Sequence, residues 1–495
     1  MKNIRLMVMT RKKKTCNLTA FVLLCAIVLV LLQPVRSFCI THKDMENLVF
    51  EVPNGQSYTI RTIHYSYPNN RYVSLKDMSY ALRGTDKHFD IDVQRARTEI
   101  TTGKDSLLSR DGNIPFAADE YVTDAIRLNP LAIDERECRY YTLMGVDDNG
   151  DPDLFMSITD LAMILNANLD IDAERGVLKL DSGDFYIDMT KYEEQGLYYE
   201  VSSALVADAV TGTVYSAYNA DLSVSAASTT KLMTYLCIMD AISAGEISLD
   251  DTVTITAEAE ALSHTSDGVI QMNRGQTAKL EDMLYAVLLP SSNEASLALA
   301  QHLDGSEEAF VQRMNNKAKE LGLSDATFFY NCHGLPCYSN TVAASKIQNH
   351  ISAYDMFVLS SHILNKYPEI MTITSTKKYR LDAFGTEVEN SNPLLYNLPG
   401  VVGLKTGTTK SSGASLISAY ETDDDTGHHI IVAVEYGAED ATVRNTVSEI
   451  MIRYGIQCIK ENDKGNGFAD DGAFPDTAGK LLRQIVLIKS RERNT

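Results

Sequence analysis

Ala227-Ser228-Thr229-Thr230-Lys231-Leu232-Met233-Thr234 is the stretch on which the reading of this 495-residue chain turns. From Leu232 to Ile242 the sequence is apolar and rich in helix formers, so a helix is predicted to begin near Ser228. Ser228 and Lys231, three apart, would then share one face. The free N–H groups of the first turn would point at any negative charge developing there. A hydroxyl near its free pKa is a poor nucleophile and needs a base. Lys231 can be that base only when neutral, a state favoured by burial and by a second cation such as Lys405. The plainer reading makes Ser228 a helix cap and Lys231 a solvated side chain.

Two further motifs weigh against the plainer reading. Ser291-Ser292-Asn293 begins 63 residues after Ser228, and Lys405-Thr406-Gly407 begins 112 after Asn293. The first lies between the apolar stretches Met283–Leu289 and Ala295–Leu303, which predicts a tight loop between two helices. Its alternative is simple capping of the second helix. Val401–Gly407 reads as a strand, with Gly407 leaving room for a substrate backbone. A peptide could pair along that edge as an added strand.

In this order the motifs match the S-x-x-K, S-x-N and K-T-G set of the penicillin-binding proteins and serine β-lactamases. Gly305-Ser306-Glu307-Glu308-Ala309-Phe310, Met314-Asn315, Lys317-Ala318-Lys319-Glu320-Leu321-Gly322-Leu323 and His333-Gly334-Leu335 narrow the resemblance. So do the flanks of Ser228 and Val402-Gly403-Leu404 with Thr408-Thr409. Over about residues 196–460 the chain resembles the D-alanyl-D-alanine carboxypeptidases, the low-molecular-mass penicillin-binding proteins. The resemblance implies an α/β fold of the penicillin-binding-protein/β-lactamase type, an antiparallel sheet flanked by helices. It implies an acyl-Ser228 intermediate with Lys231 as base and Ser291 relaying a proton to the leaving amine. Asn293 would donate to the substrate amide, and Lys405 and Thr406 would hold its terminal carboxylate. The N–H groups of Ser228 and Thr408 would form the oxyanion hole. Relatives often carry an aromatic or His where this chain has Thr408. Peptidoglycan stem peptides and β-lactam antibiotics are the expected partners, with no cofactor and no metal. A β-lactamase is disfavoured because no Glu-x-x-x-Asn lies between the second and third motifs. A wall-binding scaffold of weak activity is the alternative from another class.

The rest of the chain is read from composition. The formal charge is −21, and the first 37 residues contribute +7, leaving −28. So acidic a body argues against nucleic acid. Arg11-Lys12-Lys13-Lys14 followed by the apolar run Leu18–Leu32 resembles an export signal or a retained membrane anchor, residues 1–37. Either places the remainder outside the cytoplasm, at the membrane's outer face or secreted to the wall. Residues 41–195 form a small α+β region with a repeat offset by 83: Tyr72–Leu82 resembles Phe155–Leu165. It is similar to the copper amine oxidase N-terminal-like module of Gram-positive surface proteins, without a copper site. Two ordinary β-α-β stretches are the alternative. Having none of the motifs, this region should be dispensable for hydrolysis of a soluble peptide. Residues 461–495 read as a linker and short tail, in which Leu481–Ile488 could form one short helix.

Smaller features divide between chemistry and surface. Asp147–Asp153 has EF-hand character but lacks the bidentate Glu, and reads as a solvated turn. Asp423-Asp424-Asp425-Thr426-Gly427 reads as a hairpin turn, and His428-His429 as surface. Cys237 reads as a packed small hydrophobe. Cys332 and Cys337 are open to a disulfide or, with His333, to a metal site short of a fourth ligand.

Overall fold

The structure, a computed structural model, describes residues 45–463 except 54, 65–70, 95–97, 105–125, 147–150, 173–174, 182, 188–200, 339–345 and 426. The export segment, most of the Asp147–Asp153 turn and the tail beyond 463 lie outside the described residues. Among those described, no helix is long and apolar enough to cross a membrane.

Residues 45–181 build one ten-stranded sheet, and its topology explains the sequence repeat. The strands are β1 (Met45–Glu51), β2 (Ser57–His64), β3 (Arg71–Ser74), β4 (Phe89–Val93), β5 (Thr98–Thr102), β6 (Arg127–Ile133), β7 (Arg136–Val146), β8 (Pro152–Ser157), β9 (Asn168–Asp172) and β10 (Val177–Asp181). Helix α1 (Leu75–Ala81) follows β3, and α2 (Ile158–Leu165) follows β8. The sheet order is β4-β5-β6-β7-β8-β3-β2-β1-β10-β9. Exchanging each strand for its counterpart five places on reverses this order, so two β-β-β-α-β-β units meet about a pseudo-twofold axis. The axis passes between Val73 and Met156, which pair across β3 and β8 and differ by the repeat offset of 83.

The repeated residues have repeated physical roles. Ser74 Oγ accepts from Asp77 N, and Ser157 Oγ from Asp160 N, so each unit caps its helix with its own serine. Leu75, Met78, Leu161 and Leu165 bury one face of each helix against the sheet. A fully buried Leu contributes about 1.5–3 kcal/mol of transfer free energy. Within the core, Arg61 bridges Asp77 at 2.9 Å and Asp153 at 2.7 Å, all three nearly inaccessible to solvent.

The second unit is a five-stranded antiparallel sheet, β11 (Ser203–Asp208), β12 (Val214–Tyr218), β13 (Val401–Thr409), β14 (Gly413–Asp424) and β15 (Gly427–Ala438), in the order β12-β11-β15-β14-β13. Both faces are covered. Along β15, Ile430, Val432, Val434 and Tyr436 enter one core while Ile431 and Ala433 enter the other. That alternation, apolar without a break from Ile430 to Val434, marks a strand buried on both sides. Helices α3 (Lys231–Ser243), α4 (Leu280–Leu288), α5 (Asn293–Asp304) and α6 (Ala353–Lys366) feed the first core. The long helix α7 (Ala441–Asp463) packs on the other.

Two expectations need correction here. Asp424 pairs with Gly427 across the predicted hairpin, but His429 is buried rather than on the surface. Its position in β15 turns it inward, where Nδ1 lies 2.8 Å from the inaccessible Asp208 carboxylate. Cys332 is a buried free thiol rather than half of a disulfide. Its Sγ lies 3.2 Å from Glu307 Oε1, and burial with that carboxylate holds the thiol protonated.

Candidate active site

The nucleophile turn is a short 3-10 segment, Ala227–Thr230, running directly into α3. Predicted and observed helix starts thus differ only in that Ser228 sits in the tighter turn ahead of the α-helix. Ala227 has φ +45°, a left-handed conformation uncommon for a residue with a Cβ. The turn is fastened on several sides. Thr229 Oγ1 donates to Ala226 O and lies 2.9 Å from Tyr436 OH on β15, while Thr230 Oγ1 accepts from Asn349 Nδ2. Helix α3 buries apolar residues all round, as a helix at the centre of a core must. Lys231 at its start is fully inaccessible.

The surroundings of the Lys231 amine specify its state. Nζ lies 3.1 Å from Ser228 Oγ, 2.8 Å from Asn293 Oδ1 and 2.7 Å from His333 O. All three neighbours are neutral. Burial therefore pulls its pKa down to about 7, with Cys332 and Glu294 acting weakly the other way. Two of the neighbours can only accept, whereas a hydroxyl can also donate. A neutral amine satisfies this set fully: two N–H groups go to Asn293 and His333, and the lone pair faces the Ser228 O–H.

The second motif lies between α4 and α5 as predicted. Ser292 caps α5, its Oγ accepting from Ala295 N. Ser291 stands at φ +70°, and its buried Oγ has no hydrogen-bond partner among the described residues. No Lys231–Ser291 hydrogen bond is formed. Asn293 turns its oxygen to Lys231 and its Nδ2 to Asp267 O at 2.7 Å. The inaccessible Glu294 accepts from the backbone N–H groups of Val269 and Ile270, pinning that loop over the motif.

The third motif occupies the edge strand β13. Lys405 is inaccessible and donates to Thr406 O at 2.9 Å; Thr406 Oγ1 lies 2.5 Å from Ser391 Oγ. Burial pushes the Lys405 pKa well down, with the Lys231 and Arg444 charges adding to the effect. Thr408 is exposed beyond the motif. Gly407 has a structural reason besides the predicted one. A Cβ there would come within 3.2–3.3 Å of Thr229 Cγ2, Ala227 Cβ and Ser228 N, so the glycine lets the strand close on the nucleophile turn itself.

Sequence reasoning missed three contributors. His333-Gly334, noticed as a family likeness and, for His333, as a candidate metal ligand, supplies a carbonyl to Lys231. Gly334, at φ +91°, lies so near the turn that a Cβ would fall 1.8 Å from Ala227 O. Burial and the Lys231 charge push His333 down to about 3, so its ring is neutral. Arg444, buried at the first turn of α7, adds positive charge on the Lys405 side. A buried Arg one turn into a helix gives no local signal in sequence; only the packing of α7 on the sheet brings it here.

The family described as D-alanyl-D-alanine carboxypeptidase matches residues 189–435. The chain is 32% identical over 263 residues to D-alanyl-D-alanine carboxypeptidase DacF of Bacillus subtilis, covering 52% of this chain and 63% of that protein. It is 31% identical over 297 residues to D-alanyl-D-alanine carboxypeptidase DacD of Escherichia coli, covering 59% and 72%. It thus spans just under two thirds of the first relative's length and more than two thirds of the second's. The solved structure of penicillin binding protein 6B from Escherichia coli is similar at 31% identity and a TM-score of 0.47, covering 52% of this chain and 77% of that one.

Proposed function

Since the chain belongs to the D-alanyl-D-alanine carboxypeptidase family, we propose that it hydrolyses the terminal D-Ala-D-Ala bond of peptidoglycan stem peptides through an acyl-Ser228 intermediate. The observation that carries this reading is the Lys231 amine, inaccessible, 3.1 Å from Ser228 Oγ and surrounded only by neutral partners. Neutral Lys231 takes the hydroxyl proton as Oγ adds to the penultimate D-alanyl carbonyl carbon. The resulting oxyanion is received by the Ser228 and Thr408 N–H groups. Collapse breaks the C–N bond, and the leaving D-alanine nitrogen gains a proton from Lys231 by way of the Ser291 hydroxyl, whose lack of a partner leaves it free to bond the substrate. Water then attacks the ester with Lys231 again as base, releasing the shortened peptide and restoring Ser228. Asn293 keeps one N–H for the substrate amide carbonyl. Lys405 and Thr406 receive the terminal carboxylate, whose charge restores the Lys405 proton that burial disfavours.

The wall substrate sets the place of action outside the cytoplasm, and residues 1–37 would export the enzyme or hold it at the membrane's outer face. A β-lactam, whose strained amide imitates D-Ala-D-Ala, should acylate the same serine. Intact mass and peptide mapping after penicillin treatment, with D-alanine release from a diacyl-Lys-D-Ala-D-Ala peptide, test the reading. An adduct outside the Ser228 peptide, or no release of D-alanine by folded protein, overturns it.

A further inference from the structure

The segment Glu389–Asn397 touches both the third motif and the N-terminal sheet. On one side Ser391 Oγ meets Thr406 Oγ1 at 2.5 Å, and Asn392 Nδ2 donates to Gly403 O at 3.0 Å, both on β13. On the other side Arg136 Nη1 donates to the Tyr396 and Asn397 carbonyls at 3.1 and 2.8 Å. Arg139 donates its backbone N–H to Asn397 Oδ1 at 2.8 Å and pairs with Glu389 at 2.6 Å. Its guanidinium also lies 3.9 Å from the Tyr396 ring centroid, and Tyr396 OH donates to Glu389 Oε1. Strand β7 therefore grips both ends of a segment whose middle is bonded to β13.

We propose that Arg136 and Arg139 are positioning residues for the third motif, holding Thr406 through Glu389–Asn397 in the place where the substrate carboxylate is bound. The proposal rests on the reading of Thr406 as a substrate-binding residue. It makes the ten-stranded sheet a working part of the site rather than a separable attachment, against the expectation drawn from sequence. The Arg139–Glu389 pair is partly exposed and adds little stability by itself. Its effect is geometric: the planar guanidinium fixes a carboxylate, a ring and, with Arg136, two carbonyls that would otherwise move independently. Thr406 lies on the edge strand of its sheet, with no further strand beyond it among the described residues, and this segment bonds its hydroxyl directly.

The test is the full chain carrying Arg136→Gln and Arg139→Gln together, alone and combined with Ser391→Ala. With a diacyl-Lys-D-Ala-D-Ala peptide, KM should rise roughly tenfold, the loss of one or two positioning hydrogen bonds, with kcat nearly unchanged. On the Ser391→Ala background the arginine changes should add almost nothing, because the path is already cut. Arg139→Lys, which keeps the charge but not the planar stack, should recover only part of the loss. A merely structural role would lower the melting temperature and leave KM unchanged, which overturns the proposal; so do fully additive effects with Ser391→Ala. Amide hydrogen exchange along Val401–Thr409 should quicken in the double variant, and this readout needs no turnover. Were the wild type to release no D-alanine, the functional reading would fall while the exchange result still decides the coupling. Unchanged exchange overturns it.

Discussion

Acylation of Ser228 should follow the titration of Lys231, and the structure supplies the midpoint. The amine's pKa falls from 10.5 to about 7 because burial removes water without providing a carboxylate to replace it. At 1.36 kcal/mol per unit, charging this amine in place costs about 5 kcal/mol more than in water. If neutral Lys231 is the base, about one enzyme in eleven is competent at pH 6 and about ten in eleven at pH 8. The second-order rate of penicillin acylation should therefore rise about tenfold between those values, with its midpoint near 7. Labelled penicillin with rapid quench, over a range where thermal melts show a folded protein, measures this. Burial lowers the Lys405 pKa as well, and loss of its charge with rising pH would act against the rise, so the profile should be repeated with Lys405→Arg, which stays charged. A rising limb near pH 7 that persists in that variant identifies Lys231. A rate flat from pH 5.5 to 8.5, or a limb above pH 9 where an ordinary lysine titrates, refutes the argument that this burial makes the base.

Lys231→Arg should abolish acylation while Lys405→Arg keeps a measurable fraction, since arginine cannot be deprotonated but can still attract a carboxylate; near wild-type acylation by folded Lys231→Arg contradicts the assigned base. Gly334→Ala should lower acylation more than a hundredfold, because its Cβ would lie 1.8 Å from Ala227 O and must displace the nucleophile turn. Gly407→Ala, with its nearest contacts at 3.2–3.3 Å, should lose less than tenfold, and the order of the two effects is the check. Arg61→Met should destabilise the N-terminal sheet by about 3–5 kcal/mol by leaving Asp77 and Asp153 buried without their cation. Urea unfolding monitored on that unit measures it, and a loss under 1 kcal/mol would show that water reaches the pair.

The sequence by itself determined which chemical groups this protein brings to its reaction and in what order along the chain. Ser228 and Lys231 are neighbours through helical spacing alone, a local relation that periodicity carries. The N-terminal repeat, Tyr72–Leu82 and Phe155–Leu165, and the hairpin turn at Asp423–Gly427 are local in the same sense, and both were legible. What makes Lys231 a base is not local. Its neutral surroundings come from Asn293, 62 residues on, and His333, 102 residues on, and no pattern within either segment announces that role. Gly407 and Gly334 were visible as glycines, but their closeness to the nucleophile turn is something only packing defines. Arg444, the inward turn of His429 and the bridge from Arg139 to Thr406 belong to this second kind. Spacing along a helix or strand decides which residues share a face; what that face meets, and therefore the pKa and freedom of each group, is decided when distant segments exclude water together.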